Sequence, residues 1–159
     1  MNITTLKIFF IISIAICYSY NVSAQNSSKV KNEKSFVKYS NDALAIMEKR
    51  AKDLSIIGVA IVGFIPEEKT SSWVSKMKVV GVISNAKTNY LAIAFSKASE
   101  MAITLQNSGS DKSRKPLQGE FGYQGGLIKK INTGYIFTVF SGGSTENDLL
   151  VAQEGLNAL

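Results

Sequence analysis

The sequence predicts an α+β domain, an antiparallel β-sheet flanked by helices, and three observations carry that expectation. Apolar residues recur in the order helix, two strands, helix, loop, two strands, helix. Each strand pair is joined by a connection too short for a parallel crossover, which takes a dozen or more residues. The helical stripes are one-sided, as expected of helices laid on a sheet.

The first 24 residues, MNITTLKIFFIISIAICYSYNVSA, carry an early Lys7, an apolar run over Ile8–Ile16 and a small-residue ending, Val22-Ser23-Ala24. This is the pattern of a secretory signal peptide cut before Gln25. The uninterrupted apolar run falls far short of the roughly 20 residues that cross a bilayer. The expected location is therefore outside the cytoplasm, periplasmic or secreted, with no membrane insertion after cleavage. Residues 25–38 open with QNSSKVKNEKS, polar and lysine-rich around Val30, and read as a flexible polar leader. The folded domain is expected over 39–159.

Ser40 or Asn41 is placed to cap a first helix, in which Leu44, Met47, Ala51 and Leu54 share one face while Glu48, Lys49, Lys52 and Asp53 point out. Ser55–Ile65 is almost wholly apolar and β-branched, which suits a strand covered on both faces and ending at Pro66. PEEKTS reverses the chain into a second strand over Ser72–Ile83, where Trp73, Ser75, Met77 and Val79 alternate with Val74, Lys76, Lys78 and Val80. Thr88 or Asn89 opens a second helix with a stripe of Leu91, Ala94, Phe95, Ala98, Met101, Ala102 and Leu105. Asn107–Gly119 has no period and is expected to be a mobile loop. A hairpin follows Gly125-Gly126, reversing at Asn132-Thr133-Gly134. A last helix runs from about Thr145 to Ala158, with Leu149, Ala152, Leu156 and Leu159 on one face. Together the strands are expected to form a meandering sheet.

Composition excludes whole reaction classes. The chain has no histidine, and its one cysteine, Cys17, leaves with the signal peptide. The mature chain therefore has no imidazole or thiolate metal site, Cys/His dyad or Ser/His/Asp triad. The net charge of +6 is a modest basic excess that suits solubility and gives no nucleic-acid footprint.

The remaining motifs have plain structural readings. Ser-x-x-Lys occurs at Ser28/Lys31, Ser35/Lys38, Ser75/Lys78 and Ser84/Lys87, but none of these has the helical context that a Ser/Lys nucleophile needs. Glu67-Glu68 sits in a reversal, which offers little to a two-carboxylate hydrolase. GEFGYQGG, Gly119–Gly126, lacks both the phosphate-loop ending and the flanking strand and helix, so its glycines read as turn-makers. Its aromatics Phe121 and Tyr123 can wall a flat ligand. In SGGSTENDLL, Ser144 is an N-cap candidate with Glu146 and Asp148 in the first turn. The same backbone amides can also hold an anion, against which those two acids would act.

The C-terminal run GGLIKKINTGYIFTVFSGGSTENDLLVAQEGLNAL resembles the end of the GlcG/HbpS family of haem-binding or haem-degrading-like proteins. There a Gly-Gly, two strands and a Ser-Gly-Gly lead into a helix starting Thr-Pro-Glu-Gln-Asp, and Ser144-Thr145-Glu146-Asn147-Asp148 occupies that start here. Lys76-Met77 falls where the family tends to have Arg-Met. Lys97-Ala98 falls where it tends to have Lys-Ala-Arg, with Ser99 in place of the arginine. The resemblance spans roughly Asn41–Leu159 and implies a profilin-like fold, homo-oligomers and, for some members, haem or a related small ligand.

The combined expectation is an exported, non-enzymatic homo-oligomer that binds a small molecule, haem foremost. Its ligand-binding candidates are Lys76, Met77, Tyr123, Gly125, Gly126 and Ser144, with no catalytic residue and no metal site. Without histidine, haem is left with tyrosine, methionine or lysine as ligands. The alternatives are a structural or partner-binding oligomer that takes no tetrapyrrole, and an enzyme working through carboxylates or a Ser/Lys pair.

Overall fold

The computed structural model describes residues 28–66 and 72–159. The signal peptide and most of the PEEKTS reversal lie outside the described residues. Among the described residues, three helices and four strands follow one another as α1 (Glu33–Asp53), β1 (Gly58–Ile65), β2 (Val74–Val80), α2 (Tyr90–Thr104), β3 (Gly126–Ile131), β4 (Gly134–Ser141) and α3 (Thr145–Ala158). All strand pairings are antiparallel, in the order β2-β1-β4-β3.

This is the expected α+β architecture, but the sheet does not meander. The two hairpins sit side by side, with β1 and β4 paired at the centre from Val59↔Ser141 to Ile65↔Tyr135. All eight residues of β1 are buried, as its apolar run predicts for a strand covered on both faces.

Period-two alternation divides the core between those faces. Ala60, Val62, Phe64, Ile136 and Phe140 meet α1 and α3 on one side. Val59, Ile61, Ile65, Tyr135, Phe137 and Val139 meet α2 on the other. The molecule thus has three layers, with α1 and α3 below the sheet and α2 alone above it. On the α2 side the Phe137 ring lies over Gly63, where a Cβ would come within 2.1 Å of it, and packs 5.2 Å from Trp73.

The first helix begins earlier than its sequence suggests, so that residues 28–38 of the expected 25–38 leader are part of the fold, while 25–27 lie outside the described residues. Asn32 is the N-cap: its Oδ1 accepts from the Ser35 N–H at 3.0 Å, and its own N–H donates to Ser35 Oγ at 3.0 Å. This is a capping box with serine in the third position. Val30 and Phe36 are fully buried, and Phe36 stacks on Phe64. The Val30 N–H donates to the Leu159 carbonyl at 2.8 Å. Two apolar anchors and a cap thus order a segment whose bulk composition reads as disordered. Ser40, expected as a cap, is an interior helical residue whose hydroxyl donates to Val37 O.

The last helix starts where expected, with Ser144 as N-cap, but its buried face is rotated. Asp148, Val151, Ala152, Gly155 and Ala158 point inward, while Leu149 and Leu156 are only half-buried. The cause is close helix packing: a Cβ on Gly155 would lie 2.5 Å from Met47 Sδ of α1. A small residue therefore occupies the crossing, and the leucines sit at its margins.

Candidate functional site

A cleft of about 320 Å³ opens between the N-terminal half of α2, the loop before β3 and the turn from β4 into α3. Tyr90, Ile93 and Lys97 line it from α2, Tyr123 and Gln124 from the loop, and Ser141, Gly142, Gly143, Thr145 and Asp148 from the turn and α3.

Its floor is an ion pair. Lys97 Nζ donates to Asp148 Oδ2 at 2.8 Å and to the Phe140 carbonyl at 2.8 Å. Asp148 Oδ1 accepts from the Gly143 N–H at 2.8 Å. Both side chains are buried. Burial pushes the Lys97 ammonium down and the Asp148 carboxyl up from their ordinary values, and the contact between them opposes both shifts. The site is thus a neutralised, hydrogen-bonded floor rather than a bare charge.

Gly125 permits this arrangement. Its φ is +121°, and a Cβ there would lie 2.4 Å from Lys97 Nζ and 2.8 Å from Asp148 Cβ. Only glycine combines that backbone angle with that lack of volume.

The amides at the start of α3 are largely engaged by the protein itself. Ser144 Oγ accepts from the Asn147 N–H at 3.4 Å, and Asp148 takes Gly143. The Glu146 carboxyl is held below its ordinary value by its own backbone N–H and by the Ser144 hydroxyl. This turn is a capped helix start rather than a phosphate cradle, and the acids that the sequence sets against an anion are the groups that occupy the donors.

The structure brings only some of the sequence candidates together. Tyr123 lines the cleft and is 53% exposed, Gly125 lies beneath the ion pair, and Ser144 caps the helix at the cleft's edge. Gly126 packs deeper, against Met101 and Ser108. Lys76 belongs to the opposite face of the sheet, where its Nζ donates to Asn41 Oδ1 of α1 at 3.1 Å. Met77 pairs with Ile61, 39% exposed on the edge strand and outside the cleft.

The loop that carries Tyr123 is tied down, which corrects the expected mobile loop over 107–119. Gly126 N–H donates to Ser108 Oγ at 2.9 Å, and Phe121 N–H donates to Ser96 Oγ of α2 at 2.9 Å. Arg114 grips Glu120 with two hydrogen bonds, of 2.7 and 3.1 Å, and the Leu117 N–H donates to the same carboxylate. Residues that look like solvated loop instead satisfy one another.

The Arg114 hydrogen bond holds the Glu120 carboxyl below its ordinary value of 4.5. A depressed carboxyl stabilises the fold above its unfolded pKa, and that contribution is lost as pH falls through the lower folded value. Amide protection factors across 109–122 are therefore expected to drop below about pH 4.5, and Arg114→Ala is expected to flatten this dependence. Unchanged protection down to pH 2.5 in the parent protein would contradict the assignment.

The haem implied by the sequence resemblance can be tested against these residues. The chain has no imidazole, and among the described residues no group of three His, Cys, Asp or Glu can hold a metal ion. Tyr90 and Tyr123 are the cleft's phenols, and the Phe121 ring stacks 5.6 Å from Tyr123. Tyr90 is buried and its hydroxyl accepts from Asn85 Nδ2, so Tyr123 is the exposed phenol that would meet a haem here, and the residues do not fit one held by histidine.

No family model and no curated protein matches the chain. Solved structures do. The Klebsiella pneumoniae protein ORFY, described by the DUF336 family model, is 18% identical with a TM-score of 0.58, covering 76% of this chain and 87% of its own. PduOC, solved as a haem complex, is 16% identical with a TM-score of 0.56, covering 77% of this chain and 92% of its own. At these identities the likeness concerns backbone architecture: the described residues form a single α+β domain with the fold of these two proteins.

Proposed function

We propose that this protein binds a small flat ligand in the cleft above Lys97 and Asp148, with haem as the leading candidate, and that it acts by binding rather than by catalysis. The observation that carries the reading is an exposed aromatic wall, Tyr123 with Phe121, beside a buried, fully paired ion pair. Such a cleft offers a stacking surface and hydrogen bonds around a water-shielded floor, the usual composition of a ligand site. Two of the three Lys97 N–H groups are committed to Phe140 and Asp148, which leaves one for a ligand acceptor. The same commitment argues against Lys97 as a nucleophile. That PduOC was solved with haem supports haem as the first ligand to try. The signal-like N-terminus supports action outside the cytoplasm, in the periplasm or beyond.

Titration of the mature protein with hemin, followed at the Soret band, is expected to saturate. Tyr123→Ala is expected to weaken binding at least tenfold, while Lys76→Ala, on the other side of the sheet, leaves it unchanged. A parent protein that produces no saturable shift overturns the haem reading.

A second reading, a self-assembling structural or partner-binding domain, is favoured by a different observation. Met77 and Val79 on the edge strand, and Val82 and Ile83 just after it, are exposed apolar side chains. Light scattering of the mature protein separates the two: an oligomer indifferent to hemin would favour assembly as the function.

A further inference from the structure

Strand β2 forms one edge of the sheet, and among the described residues its outer side has no neighbouring strand. It pairs with β1 at every position from Gly58↔Val80 to Phe64↔Val74, so the edge is regular over 7 residues, without a bulge or a proline. Among the described residues, no backbone hydrogen bond from a turn or loop reaches it. Such an edge offers a row of N–H and C=O groups to a further strand.

The two faces of this edge differ in chemistry. α2 lies over β1, β4 and β3, so Met77 and Val79 on that side of β2 stay 39% and 36% exposed. Lys76 and Lys78 point to the α1 side, opposite Val62 and Ala60 of β1. Lys78 pairs with Glu48, which Lys52 shares. The hydrogen bonds from Lys52 and then Lys78 hold the Glu48 carboxyl below its ordinary value. Among the described residues Lys76 Nζ meets neutral acceptors, Asn41 Oδ1 at 3.1 Å and the Val37 carbonyl at 3.4 Å. Three lysines on this flank thus share one carboxylate.

Lysines on an edge strand guard it against pairing, and here the guard is selective by sign. A second copy of β2 paired antiparallel with the first would set lysine row beside lysine row, and like charges across strands destabilise. A strand with acids on that face is attracted instead, and its intervening apolar side chains cover Met77 and Val79. Main-chain hydrogen bonds then supply affinity, and the alternation supplies specificity. We infer that the outer edge of β2 docks an extended segment of a partner protein whose side chains alternate apolar and acidic, with the acids beside Lys76 and Lys78. The inference rests on the partner-binding reading, to which it gives a definite edge and a partner chemistry, and it uses no residue of the cleft over Lys97 and Asp148.

The probe is a capped heptapeptide of alternating valine and glutamate, titrated into the mature protein at low ionic strength. Binding is followed at the β2 amides by two-dimensional NMR and hydrogen exchange. One control has lysine in place of glutamate. The other is methylated at every backbone nitrogen, which keeps the charges and removes the N–H donors. Saturable shifts are expected with the acidic peptide, with slowed exchange of alternate β2 amides, the set that points away from β1. Both controls are expected to bind at least tenfold more weakly, and Lys76→Glu to weaken the acidic peptide by a similar factor. No saturation, equal affinity for the acidic peptide and either control, or full affinity in a folded Lys76→Glu variant overturns the proposal. So does protection of these amides that rises with protein concentration alone, the mark of a second copy on the edge. If Lys76→Glu does not fold, the two peptide comparisons decide. An oligomer that ignores the acidic peptide sinks this inference and leaves self-assembly standing, and hemin plays no part in the measurement.

Discussion

Asp148→Ala is expected to destabilise the fold by about 3–5 kcal/mol, because it strands a buried ammonium without its counter-charge. Lys97 would keep only the Phe140 carbonyl, and the Gly143 N–H would lose its acceptor. The loss of an ion pair on the surface would cost only about 1 kcal/mol or less, so the size of the effect reports how deeply the pair is buried. Replacing both partners with apolar residues of similar volume, Lys97→Met with Asp148→Leu, is expected to recover most of the loss, since neither charge then remains to be desolvated. Urea denaturation of the three proteins measures this directly. A single-variant loss under 1 kcal/mol, or a double variant no better than Asp148→Ala, would contradict the picture of a buried, mutually dependent pair.

Phe137→Ala is expected to cost about 3–5 kcal/mol through the cavity it leaves. The ring is fully buried on the α2 side of the sheet, over Gly63 and against Trp73. Gly63→Ala should also destabilise, for the opposite reason: its new methyl occupies the space of the ring, which has no free volume to enter. Because Trp73 is the chain's one tryptophan, its fluorescence is expected to change in both variants before global unfolding begins. Emission and stability that match the parent in Phe137→Ala would sink this account of the core.

The sequence conveys the architecture well wherever the signal is local. The all-apolar β1 run, the Asn89 and Ser144 caps and the turn before Gly134 are read correctly, because each depends on neighbouring residues. The start of α1 is missed because its order comes from two separate apolar contacts, Val30 and Phe36, within a polar stretch. Site prediction suffers from the same limit. Lys76 and Met77 are adjacent on one strand, so they point to opposite faces and do not share a pocket. The Lys97–Asp148 pair joins residues 51 apart and is not legible from either helix alone. A signal was nevertheless present: Lys97 lies within the apolar stripe of α2, among Ala94, Ala98 and Met101, where a charge needs a partner. Tyr123 lines the cleft and Gly125 lies against the ion pair, positions in keeping with an aromatic and a glycine beside a strand start, which mark walls and close approaches.

The junction of Ser28 and Val30 with Leu159 has a consequence for the order of events in synthesis. Ser28 Oγ donates to the Leu159 carbonyl across 131 residues, and the central strand pair also joins the first strand to the last. A ribosome delivers these partners 131 residues apart, at roughly 5–20 residues per second. The sheet's centre stays open until β4 emerges, and the N-terminal anchor waits for the residue after α3. Topology alone thus defers completion of this domain until Leu159 has emerged, and any process that needs the domain unfolded has that interval in which to act.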